Sequence, residues 1–213
     1  MDPMQIGEWL GFVIDTISMS FQISEKKVSK LKGLLESAIQ ARCSTFRELA
    51  RIAGSIISVA LAVGPISRLL ISQMYLAIKT RSSWDSTIHF SPSLLQELKF
   101  WYCNIDCFNG CYIRPPLATH TVVFSNAIDV AFGGFSASLD GTVVRGMWEA
   151  EDTGQSSTFR ELKAIYYVLL SYVAQLRHKR VKIFTDNQVA ARIVAIGSSK
   201  IHLQAVALDI FNL

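Results

Sequence analysis

Two adjacent prolines, Pro115-Pro116, separate stretches whose apolar residues repeat with different periods. Before them, apolar residues recur three and four apart, the spacing of a helix with one buried face. After them, β-branched and aromatic residues alternate with polar ones, as in half-buried strands. The second stretch reads in order as three strands (121–125, 131–139, 142–149), a helix (159–176), a strand (181–185) and a helix (188–196). The second and third strands meet at Asp140-Gly141, a dipeptide suited to the positive φ angles of a tight hairpin. A strand that rejoins its sheet through a helix pairs in parallel. The pattern therefore predicts an α/β fold, α+β overall, with a mixed sheet: a three-strand antiparallel meander, a crossover helix and a parallel strand. A last apolar segment, 201–213, predicts a further helix.

The first stretch reads as a mostly helical half entered by a hairpin. Residues 9–15 predict one strand and 19–23 its partner. Ser24 opens a helix whose apolar face is Val28, Leu31, Leu34, Leu35, Ala38 and Ile39. Thr45, followed three residues later by Glu48, opens a second helix that buries Phe46, Leu49, Ile52, Ile56 and Ile57. Gly64-Pro65 ends it and starts a third over 66–78, and Ser91-Pro92 opens a fourth through Leu94, Leu98 and Trp101.

Half of the 213 residues are hydrophobic and 18% are charged, which predicts a folded chain rather than a disordered one. The net charge of +4 is spread over both halves, so charge alone does not announce a nucleic-acid module. The longest apolar stretch, 52–63, is short of the roughly 20 residues a membrane span needs. The first residues lack the basic and apolar regions of a signal peptide, so an intracellular protein with no membrane segment is expected. Cys103, Cys107 and Cys111 form no Cys-x-x-Cys pair, and His89 and His120 sit at no useful offset. They read as small buried or half-buried thiols in a reducing compartment.

Three positions carry the chemistry. Asp186 ends the 181–185 strand, Glu161 lies early on the 159–176 helix, and Asn126 follows the 121–125 strand. Carboxylates brought together from such places are able to build a two-metal site for phosphodiester cleavage. Each acid also has a plain structural reading. Glu161 fits the third helical position of a capping box begun by Thr158, and Asp186 fits an N-cap. Residues 44–49 and 157–162 are the same hexapeptide, Ser-Thr-Phe-Arg-Glu-Leu, so both helices are expected to open alike. Asp129 is expected in a turn before Gly133-Gly134, off the face that Asn126 occupies, and Asp209 facing solvent.

With these residues in view, the chain resembles the C-terminal part of a retroelement reverse transcriptase, most closely that of DIRS-type (tyrosine-recombinase) retrotransposons. Residues 9–15 look like the primer-gripping hairpin that ends the palm, and Glu48 to Gly54 with the helices after it is similar to the thumb. Residues 124–135, 159–164 and 184–187 are similar to the three core motifs of a ribonuclease H domain. The resemblance implies a palm-end hairpin over 1–23, a thumb-like region over 24–116 and a ribonuclease H-like domain over 117–213.

The implied activity is Mg²⁺-dependent hydrolysis of RNA in RNA/DNA hybrids by two ions held on carboxylates, with Glu161 and Asp186 as metal ligands. Asn126 stands where the family has its first catalytic aspartate, so a weak or lost activity is expected. The chain also begins after the palm's aspartates and stops before the family's last catalytic acid. This reads as a truncated domain without a polymerase site. Implied nucleic-acid contacts are Trp9, Lys26, Lys27 and Lys30, and the basic turn Arg177, His178, Lys179 and Arg180 with Lys182. The other reading is an inactive nucleic-acid binder, or a module that meets a protein or a second copy through apolar surface around Val206, Leu208 and Phe211.

Overall fold

The computed structural model describes residues 4–113, 121–139, 142–177 and 179–213, and the chain divides into two compact units, Met1–Pro115 and Pro116–Leu213. The Pro115-Pro116 boundary, the Asp140-Gly141 turn and His178 of the basic turn lie outside the described residues.

The first unit runs β1 (Ile6–Trp9), β2 (Phe12–Asp15), β3 (Ser20–Ile23), α1 (Glu25–Ala41), β4 (Cys43–Thr45), α2 (Phe46–Ser58), α3 (Ala60–Val63), α4 (Ile66–Leu69), α5 (Ser72–Lys79), β5 (Thr87–His89), α6 (Pro92–Phe108) and β6 (Cys111–Tyr112). Its sheets are β1-β2-β3-β6 and the pair β4-β5. The strand expected over 9–15 is broken: Leu10 and Gly11 take φ of 50° and 76° and turn the chain back on itself. The hairpin is thus β1–β2, and β3 is its third strand. Gly11 was the signal, since glycine reaches positive φ without a Cβ penalty.

The helix expected over 66–78 is also broken, between α4 and α5. The cause lies on α6, which inserts two polar groups into the break. Trp101 Nε1 donates to the Leu70 carbonyl at 2.5 Å, and Glu97 accepts from the Met74 amide at 3.0 Å. Glu97 is 6% exposed and takes further amide hydrogen bonds from Ser72 and Gln73, so it caps α5 from inside the core. Burial pushes its carboxyl up to about 7, against the opposing pull of those amides. Leu35, Leu49, Ile52, Ile56, Leu98 and Ile105 fill the surrounding core. Cys103 and Cys107 are exposed rather than buried, because α6 turns Leu94, Leu98, Trp101 and Ile105 inward. Among the described residues no cluster of three metal-binding side chains exists.

The second unit runs β7 (Thr121–Ala127), β8 (Ala131–Ser136), β9 (Val143–Met147), α7 (Ala150–Thr153), α8 (Ser157–Ser171), α9 (Val173–Leu176), β10 (Val181–Phe184), α10 (Gln188–Ile196) and α11 (Ile201–Phe211). The sheet order is β10-β7-β8-β9, with β10 parallel to β7 and the other pairs antiparallel. This is the expected meander with a parallel strand added through α8. The expected long helix ends early, at Ser171, and continues as the separate turn α9.

One face of this sheet is covered by α8, which lies on β7 and β8 and carries α10 and α11 behind it. Contact is close enough that a Cβ on Gly134 would come within 2.4 Å of the Phe124 carbonyl oxygen and 2.6 Å of a Val168 methyl. On the other face Phe135, Phe124 and Phe184 stack across three strands with centroids 4.9 and 5.1 Å apart. Phe135 and Phe184 remain 44% and 41% exposed. The apolar surface expected around Val206 and Leu208 is not open. Leu203, Val206, Ala207 and Ile210 are buried, with α11 packed on α8, and Leu208 is half-buried. Only Phe211 of that trio is exposed, and Asp209 faces solvent as expected. Among the described residues no single helix is long and apolar enough to cross a membrane.

Candidate functional site

The three singled-out residues meet where β7 and β10 end. Phe184 pairs with Phe124 in parallel register, so Asp186, two residues on, stands level with Asn126. Both lie on the open face by strand alternation, in line with Phe184 and Phe124. Glu161 approaches from α8 on the covered face and reaches the strand ends. Its Oε1 accepts from the Ala127 amide at 3.2 Å and its Oε2 from the Thr185 hydroxyl at 3.2 Å. Asn126 Oδ1 accepts from the same Ala127 amide at 2.7 Å. One N–H thus holds the Asn126 amide oxygen and a Glu161 carboxylate oxygen within about 6 Å of each other.

Glu161 is 5% exposed, and burial raises its pKa. The nearby Asp186 carboxylate raises it further, while the Ala127 and Thr185 hydrogen bonds oppose. The arrangement offers hard oxygen donors beside an open groove of about 670 Å³ whose lining includes Asn126, Asp186 and the three stacked phenylalanines. Two carboxylates and one neutral amide match one Mg²⁺ in donor type. They do not match two: two negative charges face four positive ones, and the described residues supply no third acid.

The structural alternatives for both acids fail, each because a neighbour takes the cap. Ser156, not Thr158, is the N-cap of α8, its hydroxyl accepting from the Phe159 amide at 3.3 Å. Glu161 therefore lies beyond the reach of a capping box and turns to the sheet. In the identical hexapeptide at α2, Thr45 is the cap and Glu48 closes the box on the Thr45 amide at 3.0 Å. The two helices open two residues apart, against the expectation that they open alike. β4 pairs with β5 up to Thr45, which keeps that copy extended, and Cys43 offers no hydroxyl where the other copy has Ser156. At Asp186 the N-cap of α10 is Asn187, whose Oδ1 accepts from Ala190 at 2.9 Å, so that Asp186 is exposed and is not the cap.

This contrast makes a prediction. Thr45→Ala is expected to cost about 1 kcal/mol, whereas Thr158→Ala costs almost nothing and Ser156→Ala about 1 kcal/mol. Thermal unfolding of the three variants would show it. Equal losses at Thr45 and Thr158 would mean that both hexapeptides cap alike.

Asp129 lies in the turn between β7 and β8 and pairs with Arg160 at 2.5 Å. Arg160 also donates to the Thr153 and Gln155 carbonyls at 3.0 Å, tying that turn to the start of α8. Sequence reasoning missed this clamp, since Arg160 was only a letter within the repeat.

The expected nucleic-acid contacts fall in both units. Trp9 is 68% exposed at the end of β1, and Lys26 and Lys30 are exposed on α1. Lys27 is not free: its Nζ lies 4.3 Å from the Phe12 ring centroid and donates to the Ser58 carbonyl at 3.3 Å. Burial lowers its pKa. Arg177, Lys179 and Arg180 are exposed before β10.

Among solved structures, the foamy viral protease-reverse transcriptase in complex with RNA/DNA hybrid is similar over 98% of this chain, at 14% identity and a TM-score of 0.41. The same viral protein in complex with double-stranded DNA is similar over 89% of this chain, at 15% identity and a TM-score of 0.41. The chain spans 27% and 38% of the length of those two proteins. No protein-family model and no curated protein matches.

Proposed function

We propose that residues 117–213 form a ribonuclease H-like unit of retroelement reverse-transcriptase origin, of the DIRS type, that binds RNA/DNA hybrids and retains weak hydrolytic capacity or none. The observation that carries this is the convergence of Glu161 and Asn126 on the Ala127 amide with Asp186 beside them. Placed at the mouth of an open groove, these groups are suited to a phosphodiester rather than to a small apolar ligand. Glu161 and Asp186 would hold a single Mg²⁺, with the Asn126 amide oxygen as a neutral third donor. A bound ion supplies polarisation of a phosphoryl oxygen and a more acidic water. The protein's own part is to orient these donors: Thr185 and Ala127 fix the Glu161 carboxylate. The first unit, by this reading, is the thumb-like partner, and its exposed Trp9, Lys26 and Lys30 are additional contacts for the duplex.

The test is Mg²⁺-dependent cleavage of a labelled RNA/DNA hybrid by the whole chain, with Asp186→Ala beside it. Weak cleavage lost in Asp186→Ala is the expected result for a residual nuclease. Binding without cleavage is the result expected of an inactive binder. A folded chain that neither binds nor cleaves would overturn the reading.

A further inference from the structure

Arg160 and Glu161 are consecutive near the start of α8, and they grip two points of one short segment. Glu161 Oε1 accepts from the Ala127 amide at 3.2 Å, and Arg160 Nη2 donates to Asp129 Oδ1 at 2.5 Å. Between these points the chain leaves β7 and turns toward β8. The turn is closed by the Ile128 amide donating to the Ala131 carbonyl at 2.8 Å. It is also held from just beyond β9, where Trp148 is buried. The indole N–H donates to the Ile128 carbonyl at 2.8 Å and the Trp148 amide to the Val130 carbonyl at 3.1 Å.

The guanidinium of Arg160 is itself preset. Its Nη1 donates to the Thr153 and Gln155 carbonyls, both at 3.0 Å, and only 12% of the side chain is exposed. Arg160 therefore keeps its place whether or not Asp129 reaches it, whereas the Asp129 side chain is 90% exposed. The pair fixes the turn and not the arginine. With so exposed a carboxylate it adds little to global stability. Its effect is local, on the Ala127 amide that Glu161 and Asn126 share, two residues before Asp129. A turn free to swing would carry that N–H away from both oxygens.

We propose that Arg160 is a positioning residue for the metal site, acting through Asp129. It holds the Ala127 amide where that N–H orients the Glu161 carboxylate and the Asn126 amide oxygen together. Arg160 touches neither substrate nor ion. The inference rests on the reading of Glu161, Asp186 and Asn126 as donors to Mg²⁺. Groups that orient the donors of a metal, without binding it, carry about tenfold or more in affinity.

Mg²⁺ titration calorimetry and metal-free amide exchange, both on the whole chain, test it. Arg160→Ala is expected to weaken Mg²⁺ binding about tenfold. The Ala127 amide should lose its protection, while Val123 in the middle of β7 keeps its own. Asp129→Ala leaves the bonds from Arg160 to the two carbonyls intact, and the same two losses are expected of it. Asp129→Asn retains an oxygen acceptor for Arg160 and should restore most of both. A plain electrostatic pull of Asp129 on the ion would make Asp129→Asn as weak as Asp129→Ala with Ala127 still protected, which overturns the proposal. So does parent-like Mg²⁺ affinity in both Arg160→Ala and Asp129→Ala. A parent chain that takes up no Mg²⁺ overturns the reading of the site, and the proposal with it, an outcome visible in the parent alone.

Discussion

Asn126→Asp is expected to raise Mg²⁺ affinity about tenfold or more. The new carboxylate oxygen would take the place of an amide oxygen already held 2.7 Å from the Ala127 amide, next to Glu161. A unit charge added near a divalent ion in a half-buried site gains more than the 1.4 kcal/mol that a tenfold change requires. Without metal, the same substitution brings a further negative charge to a pair in which Asp186 already raises the Glu161 pKa. The metal-free variant should therefore unfold at a lower temperature than the parent and recover on adding Mg²⁺. Titration calorimetry measures the affinity, and thermal unfolding with and without the ion measures the crossover. Unchanged affinity would show that Asn126 does not face the position the two carboxylates share.

The second large effect concerns the first unit, where Glu97 makes stability depend on pH in an uncommon direction. Its folded-state pKa of about 7 lies above the ordinary value of 4.5. Between these values the folded state binds more protons than the unfolded one, so stability falls as pH rises through that window. The full loss is roughly 3 kcal/mol, complete somewhat above pH 7. Most paired carboxylates act in the opposite sense. Glu97→Gln keeps an acceptor for the Met74 amide and should unfold with a flatter pH profile between about 4.5 and 7. Glu97→Leu removes the acceptor altogether and leaves buried amides at the start of α5 without a partner, at a cost of about 1–3 kcal/mol for each. Denaturant unfolding at pH 5 and pH 8 separates the cases. A parent protein more stable at pH 8, with Glu97→Gln unchanged, would show that the carboxylate is held ionised.

Much of the second unit is legible in the sequence because its strands alternate cleanly and its helix is long. Residues 131–139 and 181–185 each contain the strand found there, 121–125 falls within β7, which runs on to Ala127, and the parallel pairing of β10 follows from the intervening helix. Ends were less legible where a residue outside the segment decides them. The break between α4 and α5 is made by Glu97 and Trp101, far along the chain, and no local pattern encodes that. The cap of α8 depended on Ser156, one residue outside the repeated hexapeptide, and the whole role of Glu161 turns on it. The burial of Val206 depended on α11 packing against α8, which periodicity in an apolar segment does not reveal.

The stacked phenylalanines also bear on the order in which the second unit assembles. Phe124 and Phe135 belong to neighbouring strands of one hairpin, so bringing them together closes a short loop. Phe184 joins the stack only after the chain has traversed β9 and α8. Closing the longer loop costs more chain entropy, and non-local pairings form late. β10, four residues long at the edge of the sheet, is thus expected to dock last and to detach first. Asp186 travels with it. Fluctuations that release β10 would take the carboxylate away while the hairpin and α8 remain folded, and amide exchange should be faster in Val181–Phe184 than in Thr121–Ala127.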